Sequence, residues 1–303
     1  MSISTLLSEN FYQLPYRVDH LRLQREIRNL EDGIWQQHHF QNMRSVPLVH
    51  RTTPTSTIDP IFEKLPYLSR ILQEWDAPLG ESRIMCLGAG VDVPEHVDMD
   101  YYWRHRLRVH IVVQSNPKAV FACGKSLVHL PEGEIWVSDS WQRHWVANRG
   151  EQDRIHIVID TIGSGFLWNA IYHGWNSGLS RPPAPTASLP IIPVENTADV
   201  VLFTENHTNH MRTPSELFEL IEEASRELPH TTWQQICHNT QLLYHTWKTV
   251  HAMHTDEKEK RSQLQLSIEN YLQNIRHIPA IFQRNGISWQ EIVHKQVLVS
   301  LYT

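Results

Sequence analysis

The sequence carries HVD at 96–98, RVH at 108–110, a histidine at position 144 and RIHIVID at 154–160. Two histidines and one carboxylate are the ligands of the facial triad that holds non-haem Fe(II) with open coordination positions. Alternate residues of an extended chain point the same way, so His96 and Asp98 converge while Val97 turns away. We therefore expect an iron site here, with His144 returning on another strand as the third ligand.

A His-x-Asp pair is weak evidence by itself, because this chain has 20 histidines and short motifs often match by chance. The segments that follow the pair make the pattern more specific. His144 comes after a turn-rich segment, and Arg154 then begins an apolar strand. An arginine at that point can clamp a carboxylate with its planar fork. We assign that carboxylate to the distal end of 2-oxoglutarate.

The strand predicted over 106–114 has two different faces. Its odd positions are aliphatic, and its even positions include Arg106, Arg108 and His110. The strand over 154–161 repeats the arrangement, with Arg154 and His156 on its polar face. Two strands with matching polar faces indicate a β-barrel whose polar interior is a site and whose aliphatic faces lie under helices or a second layer. Ordinary sheet faces in contact with solvent are the alternative.

At these residues the chain resembles the aspartyl/asparaginyl β-hydroxylase-like branch of the Fe(II)/2-oxoglutarate oxygenases, and most of all the stand-alone cis-proline hydroxylases. The resemblance runs from about Leu65 to Ile162, roughly a third of the chain. The matching segments are Leu65-Pro66-Tyr67-Leu68, His96-Val97-Asp98, Leu107-Arg108-Val109-His110, Gly133-Glu134-Ile135-Trp136, His144 and Arg154-Ile155-His156-Ile157-Val158-Ile159-Asp160.

The resemblance implies a mainly β core, a double-stranded β-helix of the cupin-like jelly-roll type, with flanking helices. It implies His96, Asp98 and His144 as iron ligands and Arg154, with His110 beside it, as the 2-oxoglutarate site. The implied enzyme is a dioxygenase that consumes 2-oxoglutarate and O2 and releases succinate and CO2. The larger β-hydroxylases commonly lack the acid ligand, so Asp98 favours the branch with small substrates and argues against a halogenase.

Composition limits the other functions and the location that we expect. The net charge of −6 and a pI of about 6.4 provide no electrostatic footprint for nucleic acid or an anionic membrane. Cys86, Cys123 and Cys237 are too far apart to form a disulfide or metal pattern. We see neither a signal peptide nor a transmembrane run. These features predict a cytoplasmic protein with a small-molecule substrate.

The chain is predicted to have three parts. Residues 1–180 form the oxygenase domain with a helical lead-in, residues 181–200 a proline-rich linker, and residues 201–303 an α-helical region. Thr213-Pro214-Ser215-Glu216 has the form of a capping box with proline at the first helical position. The helical region could serve as a homodimer interface, as a lid, or as packing for the barrel.

The predicted substrate is a free amino acid or a small derivative, with hydroxylation of an unactivated C–H bond. Arg108 lies on the polar strand face two residues before His110, and Arg83 lies on the strand that leads to the metal motif. We predict that both bind the α-carboxylate. The alternative is that either arginine forms an internal ion pair, with Asp92, Glu95 or Asp100 as the partner. Proline is the leading substrate, on the resemblance alone.

Other functions also remain open at this stage. One is β-hydroxylation of an aspartyl or asparaginyl residue in a peptide. Another is a cupin-like protein that binds a metal or small molecule without turnover, and a third is an interaction platform in which the helical region is the functional module. Arg154 and His110 count against the last two, because a barrel without catalysis needs no co-substrate clamp.

Overall fold

The part of the chain that the structure describes leaves out several short segments. The structure is a computed structural model, and it describes residues 7–38, 42–52, 55–98, 101–179, 189–192, 200–205, 213–283 and 285–298. Contacts divide the chain into two compact units. The first consists of Met1–Asp98 and Tyr102–Thr208, and the second of Met99–Tyr101 and Asn209–Thr303.

Thirteen strands occur in the described residues, all of them in the first unit. They are β1 (Phe11–Arg17), β2 (Gln36–Gln37), β3 (Met43–His50), β4 (Thr57–Ile58), β5 (Leu79–Leu87), β6 (Val91–His96), β7 (Leu107–Gln114), β8 (Ala119–Cys123), β9 (Ser126–Val128), β10 (Glu134–Ser138), β11 (His144–Asn148), β12 (Arg154–Thr161) and β13 (Trp175–Asn176).

The helices of the first unit lie before, between and after these strands. They are α1 (His20–Arg28), α2 (Pro66–Trp75), α3 (Tyr101–Arg104) and α4 (Gly165–His173), with short 3-10 turns at Asp32–Ile34 and Pro60–Lys64. Asp19 caps α1, because its side chain accepts a hydrogen bond from the Arg22 amide. The helix ends at Arg28, before the 3-10 turn that contains Gly33.

Two antiparallel sheets form the β core. The large sheet has the order β13-β1-β10-β7-β12-β5-β3-β2, with β4 also paired to β3, and the small sheet has the order β6-β11-β8-β9. Side chains of both sheets meet in one apolar cluster, which includes Phe11, Val112 and Trp136 from the large sheet and Phe121 and Val146 from the small sheet. The core is therefore a double-stranded β-helix of the cupin-like type, as predicted.

The aliphatic faces of the central strands lie on the opposite side of the large sheet. Leu107, Val109, Ile111, Ile157 and Ile159 are fully buried there. They belong to one cluster with apolar side chains of α1, α2 and α4. The helices thus cover the apolar face, and the polar faces of β7 and β12 turn toward the small sheet. The solvated-face alternative is excluded, since His110, Arg154, His156 and Asp160 are all buried.

The second unit is helical. It contains α5 (Pro214–Ser225), α6 (His230–His251), α7 (Glu257–Ile275) and α8 (Trp289–Ile292), and a π-helical turn continues α8 over Val293–Leu298. The predicted capping box at the start of α5 is confirmed, with reciprocal hydrogen bonds between Thr213 and Glu216. In the described residues, every helix is too short or too polar to span a bilayer.

The predicted linker falls mostly outside the described residues. Of positions 181–200, the structure describes 189–192 and 200. Residues 201–205 were predicted to begin the helical region, but their contacts place them in the first unit. Leu79 forms a bridge with Thr204, and the Glu205 carboxylate accepts a hydrogen bond from Nε of Arg106 at 2.6 Å. The stretch after the proline-rich segment therefore still packs on the β core.

Candidate active site

The three predicted metal ligands lie together at one edge of the small sheet. β6 ends at His96 and β11 begins at His144, and the antiparallel register places these two residues opposite each other. Asp98 follows two residues later, with its amide donating to the Ser140 carbonyl at 3.2 Å. The ligand atoms of all three side chains lie within 4.8 Å of one another. In the described residues, no other group of three such side chains forms a candidate metal site.

Hydrogen bonds orient both histidines for metal binding. Nδ1 of His96 lies 2.8 Å from the Pro94 carbonyl oxygen, and Nδ1 of His144 lies 2.9 Å from the Gln142 carbonyl oxygen. A carbonyl only accepts, so each Nδ1 carries the proton and each Nε2 keeps a free lone pair. Each Nε2 lies 3.9 Å from a carboxylate oxygen of Asp98. The donor atoms thus face one point, and their chemistry fits Fe(II).

The electrostatics keep these groups in the forms that bind metal. Burial lowers the pKa of His144 to about 4, so its imidazole is neutral at pH 7. Burial by itself would raise the pKa of Asp98, but the charges of neighbouring groups, that of Arg108 first among them, outweigh it. The pKa of Asp98 therefore lies below its ordinary value, and the side chain is a carboxylate. Metal binding needs neutral imidazole and ionised carboxylate, which are the forms present here.

Arg154 is a buried cation that pairs with no anion of the described residues. The residue is 7% exposed, and its Nη2 lies 3.0 Å from Nδ1 of His156. Within the described ranges, no carboxylate pairs with it, and burial lowers its pKa to about 9. A buried charge without a counterion costs several kcal/mol, on the order of the penalty for desolvating an ion. A ligand carboxylate is the natural partner, which fits the distal carboxylate of 2-oxoglutarate.

His110 provides a second unsatisfied polar group near Arg154. Its Nε2 lies 3.2 Å from Oγ of Ser138, while its buried Nδ1 has no hydrogen-bond partner among the described residues. Burial, assisted by the charge of Arg154, lowers the pKa of His110 well below its usual value. The ring is therefore neutral. Its free nitrogen and the Arg154 guanidinium both belong to the lining of one cavity.

That cavity has a volume of about 310 Å³ and contains the metal ligands in its wall. Small-molecule sites commonly have volumes of about this size. The strand register shows how the cavity is arranged, because Arg154 lies opposite Leu87 on β5 and Val158 lies opposite Arg83. Four residues separate Leu87 from Arg83, which is about 13 Å along a strand. The Arg154 end and the Arg83 end of the cavity are thus well separated.

Arg108 forms ion pairs with two carboxylates that differ from the alternative partners predicted for it. Its Nε and Nη2 donate to the two carboxylate oxygens of Asp160, at 2.9 and 3.0 Å, and its Nη1 donates to Asp98. The β7–β12 register causes this, since Arg108 and Asp160 lie directly opposite each other. Trp103 stacks on the same guanidinium at 5.3 Å and donates to Asp160. Asp160 therefore occupies the fork of Arg108, and the substrate contacts predicted for Arg108 and Arg83 stay predictions.

Arg83 lies on the same strand face as Glu81, two residues earlier. Its Nη2 donates to Oε1 of Glu81 at 2.7 Å, and the two side chains are 25% and 29% exposed. Glu81 is not one of the alternative partners predicted for Arg83, which were Asp92, Glu95 and Asp100. Asp100 lies outside the described residues. The i, i+2 spacing on a strand was the signal that would have identified Glu81.

Comparison with known proteins provides a family match and several structural likenesses. The family model described as aspartyl/asparaginyl beta-hydroxylase matches residues 8–163 of the 303. A 2OG-Fe(II) oxygenase family oxidoreductase from Burkholderia pseudomallei is 13% identical, with a TM-score of 0.36, over 49% of this chain and 81% of that one. The family match contains β1 to β12 and every site residue predicted above.

Two further solved structures are similar over about half of the chain. A prolyl hydroxylase from Trichoplax adhaerens is 11% identical, with a TM-score of 0.38, over 52% of this chain and 86% of that one. The cupin domain of Cnp3 from Schizosaccharomyces pombe is 9% identical, with a TM-score of 0.29, over 47% of this chain and 74% of that one.

The metal site predicts the behaviour of a variant without its acid ligand. Asp98→Ala should lose most bound Fe(II) and essentially all turnover while the protein stays folded. Metal analysis after anaerobic reconstitution, combined with circular dichroism, measures both properties. Asp92→Ala is the control, because Asp92 lies on β6 with an exposed side chain, and its carboxylate is 3.9 Å from the exposed guanidinium of Arg149. Wild-type iron content and hydroxylation in Asp98→Ala would contradict the assignment.

A second prediction concerns the buried charge of Arg154, which pairs with no carboxylate among the described residues. Arg154→Lys lacks the planar fork and should weaken 2-oxoglutarate binding by roughly ten- to a hundredfold. Arg154→Met should also raise the melting temperature of the protein without 2-oxoglutarate, since it removes an unpaired buried charge. Thermal unfolding with and without 2-oxoglutarate measures both effects. Arg149→Lys, with a side chain that is 67% exposed, should change neither quantity. An unchanged affinity in Arg154→Lys argues against the co-substrate role.

A third prediction separates the two roles considered for Arg108. Arg108→Lys keeps the positive charge beside Asp160 but loses the fork that also holds Asp98. If Arg108 positions the metal ligand, iron affinity should fall by roughly ten- to a hundredfold, as is usual when a residue that orients a ligand is changed. Preference for a free amino acid over its amide should persist. Normal iron affinity together with loss of that preference would support the predicted contact between Arg108 and the substrate.

Proposed function

Because this chain belongs to the aspartyl/asparaginyl β-hydroxylase family and is an Fe(II)- and 2-oxoglutarate-dependent hydroxylase, we propose that its substrate is a free amino acid or a small amino-acid-like molecule. The reaction hydroxylates an unactivated C–H bond and releases succinate and CO2, as in the proline hydroxylases. The observation that carries this proposal is Arg83, a partly exposed guanidinium that faces the cavity beside the metal ligands.

Different side chains of the cavity bind the metal and the co-substrate. His96, Asp98 and His144 hold Fe(II), which together with 2-oxoglutarate supplies the oxidising power for the C–H bond. Arg154 binds the distal carboxylate of 2-oxoglutarate, and the free Nδ1 of His110 faces the same space. These groups hold the co-substrate in one orientation, which is what a reaction between positioned partners requires.

Arg83 is the group that supports a substrate with its own carboxylate. It is close enough to Asp98 for its charge to lower the pKa of that ligand. In the described part of the chain its guanidinium makes one hydrogen bond, to Glu81, so most of its donors are available. An arginine binds a carboxylate well through two parallel hydrogen bonds. A free amino acid presents an α-carboxylate to this arginine, and an internal residue of a peptide has none.

The second candidate is β-hydroxylation of an aspartyl or asparaginyl residue in a peptide. The description of the matching family favours it. So does a polar groove of about 480 Å³ that shares His38, Glu81 and Arg83 with the cavity and continues past His50 and Arg51. A peptide could lie in that groove with one side chain in the cavity. The two candidates differ in whether the substrate needs a free α-carboxylate.

The test compares substrates that differ in that group alone. Succinate release from 2-oxoglutarate with Fe(II) and ascorbate is surveyed over free amino acids, their amides and peptides. The wild type should turn over a free amino acid at least tenfold better than its amide, on the order of one lost charged hydrogen bond. Arg83→Met should reduce this preference, and Arg149→Met should preserve it. If the wild type accepts an amide or an internal peptide residue equally well, the peptide candidate replaces this proposal.

A further inference from the structure

We propose that Glu81 and Arg83 form a recognition pair for a zwitterion and that the substrate is an amino acid with no net charge. Arg83 binds the α-carboxylate and Glu81 binds the α-ammonium. This inference rests on the proposed function, because it needs a free amino acid, and it names the class of amino acid. Glu81 is then a residue that determines specificity and is distinct from the metal and co-substrate residues.

The two side chains are placed so that one small molecule can contact both. They lie at positions i and i+2 of β5 and therefore on one strand face, with Oε1 of Glu81 2.7 Å from Nη2 of Arg83. Both line the cavity that contains His96 and Asp98. The α-ammonium and α-carboxylate of an amino acid are joined through a single carbon. Adjacent charges of opposite sign on the protein match adjacent charges on such a molecule.

Both side chains have hydrogen-bonding capacity left. Within the described residues, Glu81 uses one carboxylate oxygen for Arg83, and Arg83 uses one of its five N–H groups for Glu81. Arg108 on the neighbouring polar face differs, because Asp160 and Asp98 occupy its donors. The side chains of Glu81 and Arg83 are also about a quarter exposed, whereas that of Arg108 is 14% exposed. The pair can therefore accept a ligand without breaking a saturated network.

The charges around the cavity indicate what the ligand must carry. Among the described residues, the cavity wall has the cations Arg83, Arg108 and Arg154 and the anions Glu81 and Asp98, and buried Asp160 lies behind Arg108. The protein charges cancel. Fe(II) and the two carboxylates of 2-oxoglutarate also cancel each other. A substrate with a net charge would leave that charge uncompensated in a partly buried site, which is costly. A zwitterion with an uncharged side chain leaves none.

The rest of the lining suits an uncharged side chain. On the inner face of β5, the positions after Arg83 are Met85 and Leu87, and Val158 lies opposite Arg83 on β12. Met43 and Val93 also line this cavity. The volume of about 310 Å³ must hold 2-oxoglutarate as well, so the space for a side chain is small. Small aliphatic amino acids, proline among them, fit these limits better than aspartate, lysine or arginine.

The experiment measures binding without turnover, in protein loaded with Mn(II) and 2-oxoglutarate. The first probes are L-proline, N-acetyl-L-proline and L-prolinamide, which carry both charges, the carboxylate alone and the ammonium alone. If another neutral amino acid of a full panel binds more tightly, it and its two derivatives replace proline. Isothermal titration calorimetry provides the dissociation constants for the wild type, Glu81→Gln, Arg83→Gln and the control Glu31→Gln. Glu31 forms an exposed ion pair with Lys64, also at 2.7 Å.

The two variants are expected to change the preference for different probes. Glu81→Gln should reduce the preference for the free amino acid over its N-acetyl derivative by roughly ten- to a hundredfold and leave the preference over the amide nearly unchanged. Arg83→Gln should do the reverse, and Glu31→Gln should match the wild type. In the panel, neutral amino acids should bind more tightly than aspartate, glutamate, lysine and arginine.

Three results would overturn the pair. The first is equal weakening of all three probes in both variants, which would indicate a structural role. The second is an unchanged N-acetyl preference in Glu81→Gln, and the third is tightest binding of a charged amino acid. A different result, in which no free amino acid binds or stimulates succinate release but a peptide does, overturns the proposed function itself. The two failures are thus distinguishable.

Discussion

β7 and β12 pair antiparallel, with Val158 opposite His110 and Asp160 opposite Arg108, and the site follows from this pairing. In each strand the residues alternate between two faces, so one face is wholly aliphatic and the other carries arginine, histidine and aspartate. The aliphatic faces pack under α1, α2 and α4. The polar faces of β7 and β12 therefore point toward the small sheet. A slip of one residue would bury the charges under the helices, so the register is strongly specified.

The interior formed in this way is polar, and each of the three arginines in the cavity wall has a different partner. Arg108 forms ion pairs with Asp160 and Asp98, and these pairs offset the cost of desolvating its charge. Arg83 meets Glu81 and keeps free donors. Among the described residues, Arg154 has a hydrogen-bond contact with His156 and no carboxylate partner. Three arginines on neighbouring strands thus have three roles, and the roles differ because the available anions differ. A buried charge that the protein does not neutralise indicates a ligand that does.

The small sheet contributes the metal site and the large sheet contributes the chemistry around it. His96 and His144 face each other across β6 and β11, and each is held by a backbone carbonyl two residues before it in sequence. Asp98 is held from the other side by Arg108 of β7. The ligand set is therefore fixed from both sheets. This arrangement keeps the ligands oriented before any metal arrives, which is the usual contribution of groups around a metal site.

The sequence by itself determined the features that depend on local order along the chain. His96 and Asp98 lie two residues apart, so their proximity was predictable from strand geometry, and the alternation in β7 and β12 predicted a polar interior. The capping box at Thr213 and the cap at Asp19 are equally local. His144 and Arg154 were identified through the resemblance and their spacing, and both line the cavity.

Only the tertiary structure decided which groups meet across strands. Arg108 was expected to bind substrate, yet the register puts it opposite Asp160, 52 residues away in sequence. The i, i+2 spacing indicates that Glu81 and Arg83 share a strand face, but only the packing of the two sheets shows that this face lines the cavity. Residues 201–205 were assigned to the helical region, although Thr204 and Glu205 attach them to the β core. Register and long-range pairing arise from the packing of the whole unit, and no local pattern encodes them.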